Sequence, residues 1–514
     1  MLADYQKIKS NQISYDVAIF GAGAAGIILS IELEKMGLKV ALFESGGFSF
    51  DQHIQDLYKG EISAGFKHAP IDSYRLRYFG GSTNCWGGAC VQYDDVDFAT
   101  RPYFSISGWP IKYSDIEPFY NRASVYLGIS SALFNTPKGE IISGIEKTGV
   151  FKTKYWKENK KTPRFLDVYK DFFKKESKVD LYLKSNLYSF DAPDKSGHIN
   201  SVYLKKQGQR ELCKVQSTFY VLCMGGLENA RLLLNSPNIF SSASGLSVYG
   251  NVGKFYSPHI NLTHGTFIPS GRVKILSEAE FLNDSVKARR FLSVTDNALD
   301  QFQLLNCKTT FERADAASAD LSDEVYNYLN HRNEYFSDES VDRYNSSVDH
   351  VVPFKYASLL KLKRNHAFVL NTAFEQEPYR NSMVGLTNDI DELGIRKIKL
   401  THAIKDEDIK RCLKYYSLLA KTVGGLGLGR LAYDDSGSAF VDQQMGASHH
   451  TGTSRMSDTP RDGVVDRNCK IHNLSNIYIA GASVFPTPSH ANPTWTIAAL
   501  AIRLADHLKQ IKSS

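Results

Sequence analysis

Residues Tyr15 to Glu44 read YDVAIFGAGAAGIILSIELEKMGLKVALFE, and this stretch decides the fold. Tyr15–Phe20 is a short β-branched and aromatic run, fit for a buried strand of a parallel sheet. Gly21-Ala-Gly-Ala-Ala-Gly26 follows, then a helical stretch from Ile27 to Met36 that Gly37 stops in the C-cap position. Leu38 to Phe43 reads as a second strand with Glu44 at its end. Gly21, Gly23 and Gly26 form a G-x-G-x-x-G between strand and helix. The first glycine permits the tight turn, the second lets backbone approach a pyrophosphate, and the third lets helix pack on strand. The helix N-terminus adds free amides and a partial positive charge. The Glu44 carboxylate can accept from a ribose diol and would repel a 2′-phosphate. The set predicts a dinucleotide site; the glycines do not separate NAD from FAD.

Two further units of this kind lie downstream. Thr218 to Cys223 is strand-like, Gly225-Gly226 is a turn and Leu227 to Leu234 is helical. Ile477 to Ala480 reads as a strand, Gly481 begins a loop with Pro486, Pro488 and Pro493, and Thr496 to Leu508 is helical. The segments between are richer in aromatic and polar residues. This order predicts an α/β protein, with a Rossmann-type domain assembled from 1–100, 200–255 and 440–514. A second domain is built from 101–199 and 256–439.

The chain has 514 residues, 42% of them hydrophobic and 23% charged, which excludes a disordered protein. A net charge of +6 is small for this length and implies neither nucleic acid nor a membrane surface as partner. No apolar run reaches the ~18 residues of a membrane span. The first residues, MLADYQKIKSNQ, are polar where a signal peptide would be apolar, and seven irregularly spaced cysteines make no disulfide framework. The expected location is the cytoplasm. Residues 152–178 carry ten basic against four acidic side chains, and 312–342 nine acidic against two basic. Both read as solvated faces; the functional alternative for the basic stretch is an anionic substrate such as a phosphorylated or nucleotide-linked sugar.

Three more stretches carry chemistry: RYFGGSTNCWGG (77–88), QMGASHHTGTSRM (444–456) and YIAGASVFPTPSHANPTWT (478–496). With GAGAAG they resemble the glucose–methanol–choline family of flavoprotein oxidoreductases. Gly108-Trp-Pro110 with IKYSDIEPFY, MGGLENARLLLNS (224–236), NVGKFYSPH (251–259) and AFEQEPYRNSMVGL (373–386) resemble further family blocks. The likeness is nearest to the sugar-oxidising members, pyranose oxidase and bacterial fructose and gluconate dehydrogenases. It implies FAD as cofactor and an inserted α+β substrate-binding domain of antiparallel sheet plus helices. It also implies that Gly21, Gly23, Ala24, Ala25, Gly26, Glu44 and Ser45 hold the ADP half. Gly80, Gly81, Ser82 and Asn84 would lie along the isoalloxazine, and Gly481 and Ala482 at the pyrophosphate or ribityl chain. His449, in H-x-x-G-T, would be the active-site base, and Asn492 its partner beside flavin N5.

The implied reaction is oxidation of CH–OH to C=O, with hydride passing to N5 and the hydroxyl proton to His449. The implied substrate is a sugar, aminosugar or sugar nucleotide; the electron acceptor is not legible. Cys85 stands where some relatives carry a flavin-linking histidine, so non-covalent FAD is expected. Met383 stands where relatives often carry Arg.

Rival readings are weighed on residues. His449 and His450 suggest a metal pair, but neighbours in extended chain point opposite ways, so no metal is expected and His450 should face away. Cys85 and Cys90 mimic the redox pair of a disulfide reductase, yet GGLGLGR (424–430) fails as the second nicotinamide fingerprint, and both cysteines read as buried spectators. A non-redox lyase or scaffold of the same family is the other alternative.

Overall fold

A computed structural model of the chain describes residues 14–63, 65–106, 108–241, 243–271, 273–313, 367–443, 446 and 448–513. The acidic stretch from 314 onward lies outside them. Five parallel strands form one sheet in the order Ile477–Ile479, Ser217–Leu222, Tyr15–Phe20, Val40–Phe43, Asp180–Tyr182. Tyr15–Phe20 holds the centre because it is apolar on both faces: Val17, Ala18 and Ile19 have no exposed surface. The helix Ala24–Lys35 begins three residues before the predicted start, directly after Gly23. It packs beside the C-terminal helix Thr494–Ser513, also longer than its sequence pattern suggested.

The fifth strand comes from outside the segments read as the Rossmann-type domain. Asp180–Tyr182 comes from the stretch 101–199 given to the second domain, yet its register with Val40–Phe43 puts it on the edge of the parallel sheet. Three residues are too short to show a strand period in sequence.

The second layer is an antiparallel sheet. Glu280–Phe281, Val286–Val294, Cys307–Arg313, Phe368–Phe374, Ile260–Pro269 and Gly429–Ala432 follow one another, and Phe151–Asn159 pairs along Val286–Val294. Its alternation is clean: Cys307, Thr309 and Phe311 are buried, as are Phe368, Leu370, Thr372 and Phe374. That face packs on Cys412, Tyr415, Tyr416 and Leu419 of the helix Asp406–Gly425. The end of this helix, the turn after it and the start of the strand Gly429–Ala432 account for GGLGLGR. The opposite face of the sheet reaches the loop after Ile477–Ile479, where Lys308 meets Asn492 and Phe291 meets His490.

Candidate active site

A cavity of about 460 Å³ opens where the parallel strands end. Gly21, Glu44, Cys223 and Ala480 each directly follow one of these strands, and all four line it. Ligands of open α/β sheets bind at this edge. Gly23, Ala24, Ala25, Gly81, Ser82, Gly481, Ala482, His449 and Asn492 also reach the wall.

The glycines divide by task. Gly21 has φ +103°, and a Cβ there would meet the Cys223 carbonyl oxygen at 2.6 Å. A Cβ on Gly26 would meet the Gly21 carbonyl oxygen at 1.9 Å, so this glycine sets helix-to-strand packing and touches no ligand space. Gly23, Gly225 and Gly481 differ: no atom lies within 4 Å of a Cβ built on any of them, and all three line the cavity. Side chains there would fill the space a ligand needs. Two helix N-termini, capped by Gly23 and Met224 without side-chain hydrogen bonds, open on the same cavity. Unpaired amides beside a bare backbone fit the pyrophosphate of a dinucleotide.

Glu44 is held by the turns it follows: Oε2 accepts from the Ala22 amide at 2.8 Å and Oε1 from the Gly46 amide at 3.0 Å. Ser45 leaves the main cavity. Its hydroxyl donates to Asn186 Oδ1 at 2.6 Å and accepts from Arg77 Nε at 2.7 Å, in a small adjoining recess. Gly80 and Asn84 are likewise not on the wall. Asn84 donates to the Phe79 carbonyl and accepts from the Leu166 amide, so the pair braces the loop that carries Gly81 and Ser82.

His449 and His450 both reach the cavity, contrary to the expectation that His450 faces away. The reason is backbone: His449 has φ +63°, in the left-handed region, and the alternation of extended chain does not apply. His449 Nδ1 lies 3.3 Å from His259 Nδ1. Burial, then the positive Lys308, pushes its pKa down to about 3. The imidazole is thus neutral at working pH.

His450 ends a chain of hydrogen bonds. His68 Nδ1 lies 2.6 Å from the Ala69 carbonyl, which can only accept, so this nitrogen carries the proton. Burial keeps the ring neutral, and Nε2 accepts from the Tyr256 hydroxyl at 2.7 Å. The Tyr256 oxygen then accepts from His450 Nδ1 at 2.8 Å. What is left at His450 is an Nε2 lone pair, buried and without a partner. An orphan acceptor on a ligand-sized cavity calls for a donor from the ligand.

Asn492 is set by a residue that sequence reasoning missed. Lys308 Nζ donates to Asn492 Oδ1 at 2.7 Å. Burial pushes the Lys308 ammonium down to about 8. His259 and Tyr256 were missed also, although both stand in the NVGKFYSPH block. The strand part of the basic stretch, by contrast, is matched: Lys152 pairs with Asp296, Lys154 with Asp94, and Lys157 donates to the Ala132 carbonyl. Cys90 is buried, as expected, but Cys85 is exposed on the cavity wall. Both are free thiols, and burial raises Cys90 far above the thiolate range and Cys85 above its ordinary value, which favours neither as the thiolate of a disulfide reductase.

Comparison with known proteins shows what the chain is similar to. Residues 378–501 match the family model described as GMC oxidoreductase. Over 96% of this chain and 92% of its own length, 6'''-hydroxyparomomycin C oxidase of Streptomyces lividus is 22% identical. The gluconate 2-dehydrogenase flavoprotein of Pantoea cypripedii is 20% identical over 96% of this chain and 93% of its own. Among solved structures, pyridoxine 4-oxidase from Mesorbium loti shares the fold, with TM-score 0.55, 15% identity and coverage of 96% of this chain and 99% of that one. No helix among the described residues is long and apolar enough to cross a membrane. Residues 378–501 are thus those of a GMC oxidoreductase, the chain is similar to such enzymes over nearly its whole length, and it is an FAD-dependent oxidoreductase that oxidises a CH–OH group to a carbonyl.

Proposed function

We propose that this enzyme oxidises an alcohol of a sugar, aminosugar or sugar nucleotide, with FAD held non-covalently and His449 and Asn492 beside the reacting carbon. The observation that carries the reading is that His449 and Asn492 share one wall of the cavity, with Lys308 donating to Asn492 from behind it. The sugar class is supported by relatives named for paromomycin, fructose, gluconate and pyranose substrates.

Residues Gly21, Gly23, Ala24, Ala25 and Glu44 fit the ADP half of FAD, Gly225 and Gly481 the pyrophosphate and ribityl region, and Gly81 and Ser82 the ring. His450 Nε2 fits a cofactor hydroxyl. When bound, the flavin supplies the acceptor for the hydride of the carbinol carbon.

The chain's own residues handle the proton. With the shared Nδ1 proton on His449, its Nε2 is a lone pair and takes the substrate hydroxyl proton. Asn492, its oxygen turned to Lys308, offers its NH2 to the substrate oxygen and stabilises the charge that grows there as the proton leaves. Lys308 adds positive potential at the same place. Depressing the His449 pKa keeps the base free of protons before substrate arrives.

The flavin-binding part is read as 1–100, 200–255 and 440–514 with the strand Asp180–Tyr182 added to it. A cytoplasmic location is supported by seven free cysteines. The test is an anaerobic screen of sugars, aminosugars and sugar nucleotides for loss of oxidised-flavin absorbance. Bleaching by a sugar supports the reading. Bleaching by simple or aromatic alcohols alone would overturn the sugar class, and bleaching by none would favour a non-redox member.

A further inference from the structure

The sheet face that carries Lys308 holds two cations with no carboxylate partner among the described residues. Leu292 and Thr309 are register partners on the face turned to the helix Asp406–Gly425. Strand alternation therefore sends Arg289 and Lys308 to the opposite face. Trp156 is the register partner of Arg289 and shares that face. The Arg289 guanidinium carbon lies 5.9 Å from the Trp156 ring centre and Lys308 Nζ 5.5 Å from it. Lys308 also touches Asn492, so this corner is within reach of a substrate lying at His449.

Four other cations of the strands Phe151–Asn159 and Val286–Val294 are matched. Lys152 pairs with Asp296, Lys154 with Asp94, Lys287 with Glu158 and Arg290 with Glu280. Among the described residues no carboxylate pairs with Arg289 or Lys308, and Arg289 Nε is buried without any hydrogen-bond partner. The indole attracts both cations but carries no charge to neutralise them. Both side chains are partly buried, and two partly desolvated like charges side by side are costly unless a ligand supplies the anion. An ammonium-bearing sugar would meet two like charges here.

We propose that the substrate alcohol carries an anionic group, a carboxylate or a phosphate, received by Arg289 and Lys308 against Trp156. The proposal rests on the reading of this site as a sugar-alcohol site and narrows it to sugar acids and sugar phosphates. Arg289 offers the planar fork that matches either oxyanion through two parallel hydrogen bonds. Lys308 faces the reacting end.

The test uses the holoenzyme and one matched set: glucose, glucosamine, gluconate, glucuronate and glucose 6-phosphate. Binding is measured by calorimetry and flavin reduction by anaerobic stopped flow. An anionic member is expected to bind at least about tenfold more tightly than glucose, and glucosamine more weakly. Added salt should weaken only the anion. Arg289→Gln should lower the anion-to-glucose affinity ratio by about tenfold or more, with Arg289→Lys between. Lys152→Gln, a charge change on a paired surface residue, should leave the ratio as it is, and flavin content reports folding of each variant. Anions that bind no better than glucose, or equal effects of the Arg289 and Lys152 changes, would overturn the proposal. If glucose bleaches the flavin while anions neither bind nor bleach, the sugar reading stands and this one falls. If anions bind through Arg289 and no sugar bleaches the flavin, the anion site stands and the oxidation reading falls. Carboxylate and phosphate members separate the two anion sources.

Discussion

Lys308 Nζ stands 2.7 Å from Asn492 Oδ1, so a cation of the antiparallel sheet sets an amide in the loop after the last parallel strand. An ammonium only donates, which turns the amide oxygen toward it and leaves the NH2 for a ligand. Asn492→Asp keeps the contact to Lys308 and removes the donor. We expect flavin reduction to slow by about 10²–10³-fold, the cost of losing one donor to a developing oxyanion, with FAD content unchanged. Lys308→Met should slow reduction less and change its pH dependence. Lys308 is charged below about 8 and neutral above, so the native rate should fall as pH rises through that value. An alkaline limb that persists in Lys308→Met would assign it elsewhere.

His449→Ala should slow flavin reduction by about 10²–10⁴-fold at unchanged FAD content. Its pKa, held down to about 3, also predicts the acid side of the profile. The imidazole is neutral above that value, so no fall in rate should appear near the ordinary histidine value of about 6.5. Stopped-flow reduction across this range decides it; a limb there that vanishes in His449→Ala would show the base to be protonated at rest.

His450→Ala should act on the cofactor. Its Nε2 has no partner in the protein, and its Nδ1 holds the Tyr256 hydroxyl. Loss of both should weaken FAD binding by about 1–3 kcal/mol, measured by titration of apoprotein, with a smaller effect on reduction of the loaded enzyme than His449→Ala gives. Tyr256→Phe should do the same more weakly. A larger loss of rate than in His449→Ala, at equal flavin content, would exchange the roles of the two histidines.

Glu44→Ala should lower FAD affinity without altering reduction of loaded protein. Charge-assisted bonds contribute about 1.5–3 kcal/mol each, and here the carboxylate also ties the Ala22 and Gly46 amides. Glu44→Gln sets an NH2 against one of those amides and should not rescue binding. Equal occupancy at limiting FAD would make Glu44 a turn brace only.

Acid precipitation should leave the flavin in the supernatant, as non-covalent binding predicts for a chain with Cys85, not histidine, before Trp86. Yellow pellets would point to a bond through the Cys85 thiol, which is exposed on the cavity wall.

What the amino-acid sequence determined by itself is local. The strand Tyr15–Phe20, the three glycines, their helix and Glu44 lie within thirty residues, and each follows from backbone sterics or burial over a few neighbours. The motif blocks at 77–88, 444–456 and 478–496 supplied the family, and the cavity gathers most of the residues they named. What the tertiary structure decided is long-range. Lys308 meets Asn492 across 184 residues, Tyr256 meets His450 across 194, and His259 meets His449 across 190. No local period encodes such pairings, since they depend on how two sheets stack. The three-residue strand Asp180–Tyr182 is invisible for a related reason: only its neighbour Val40–Phe43 makes it a strand. The turn of His449 belongs here too. A left-handed φ at a non-glycine residue is imposed by its surroundings, and it brings both histidines to the same wall.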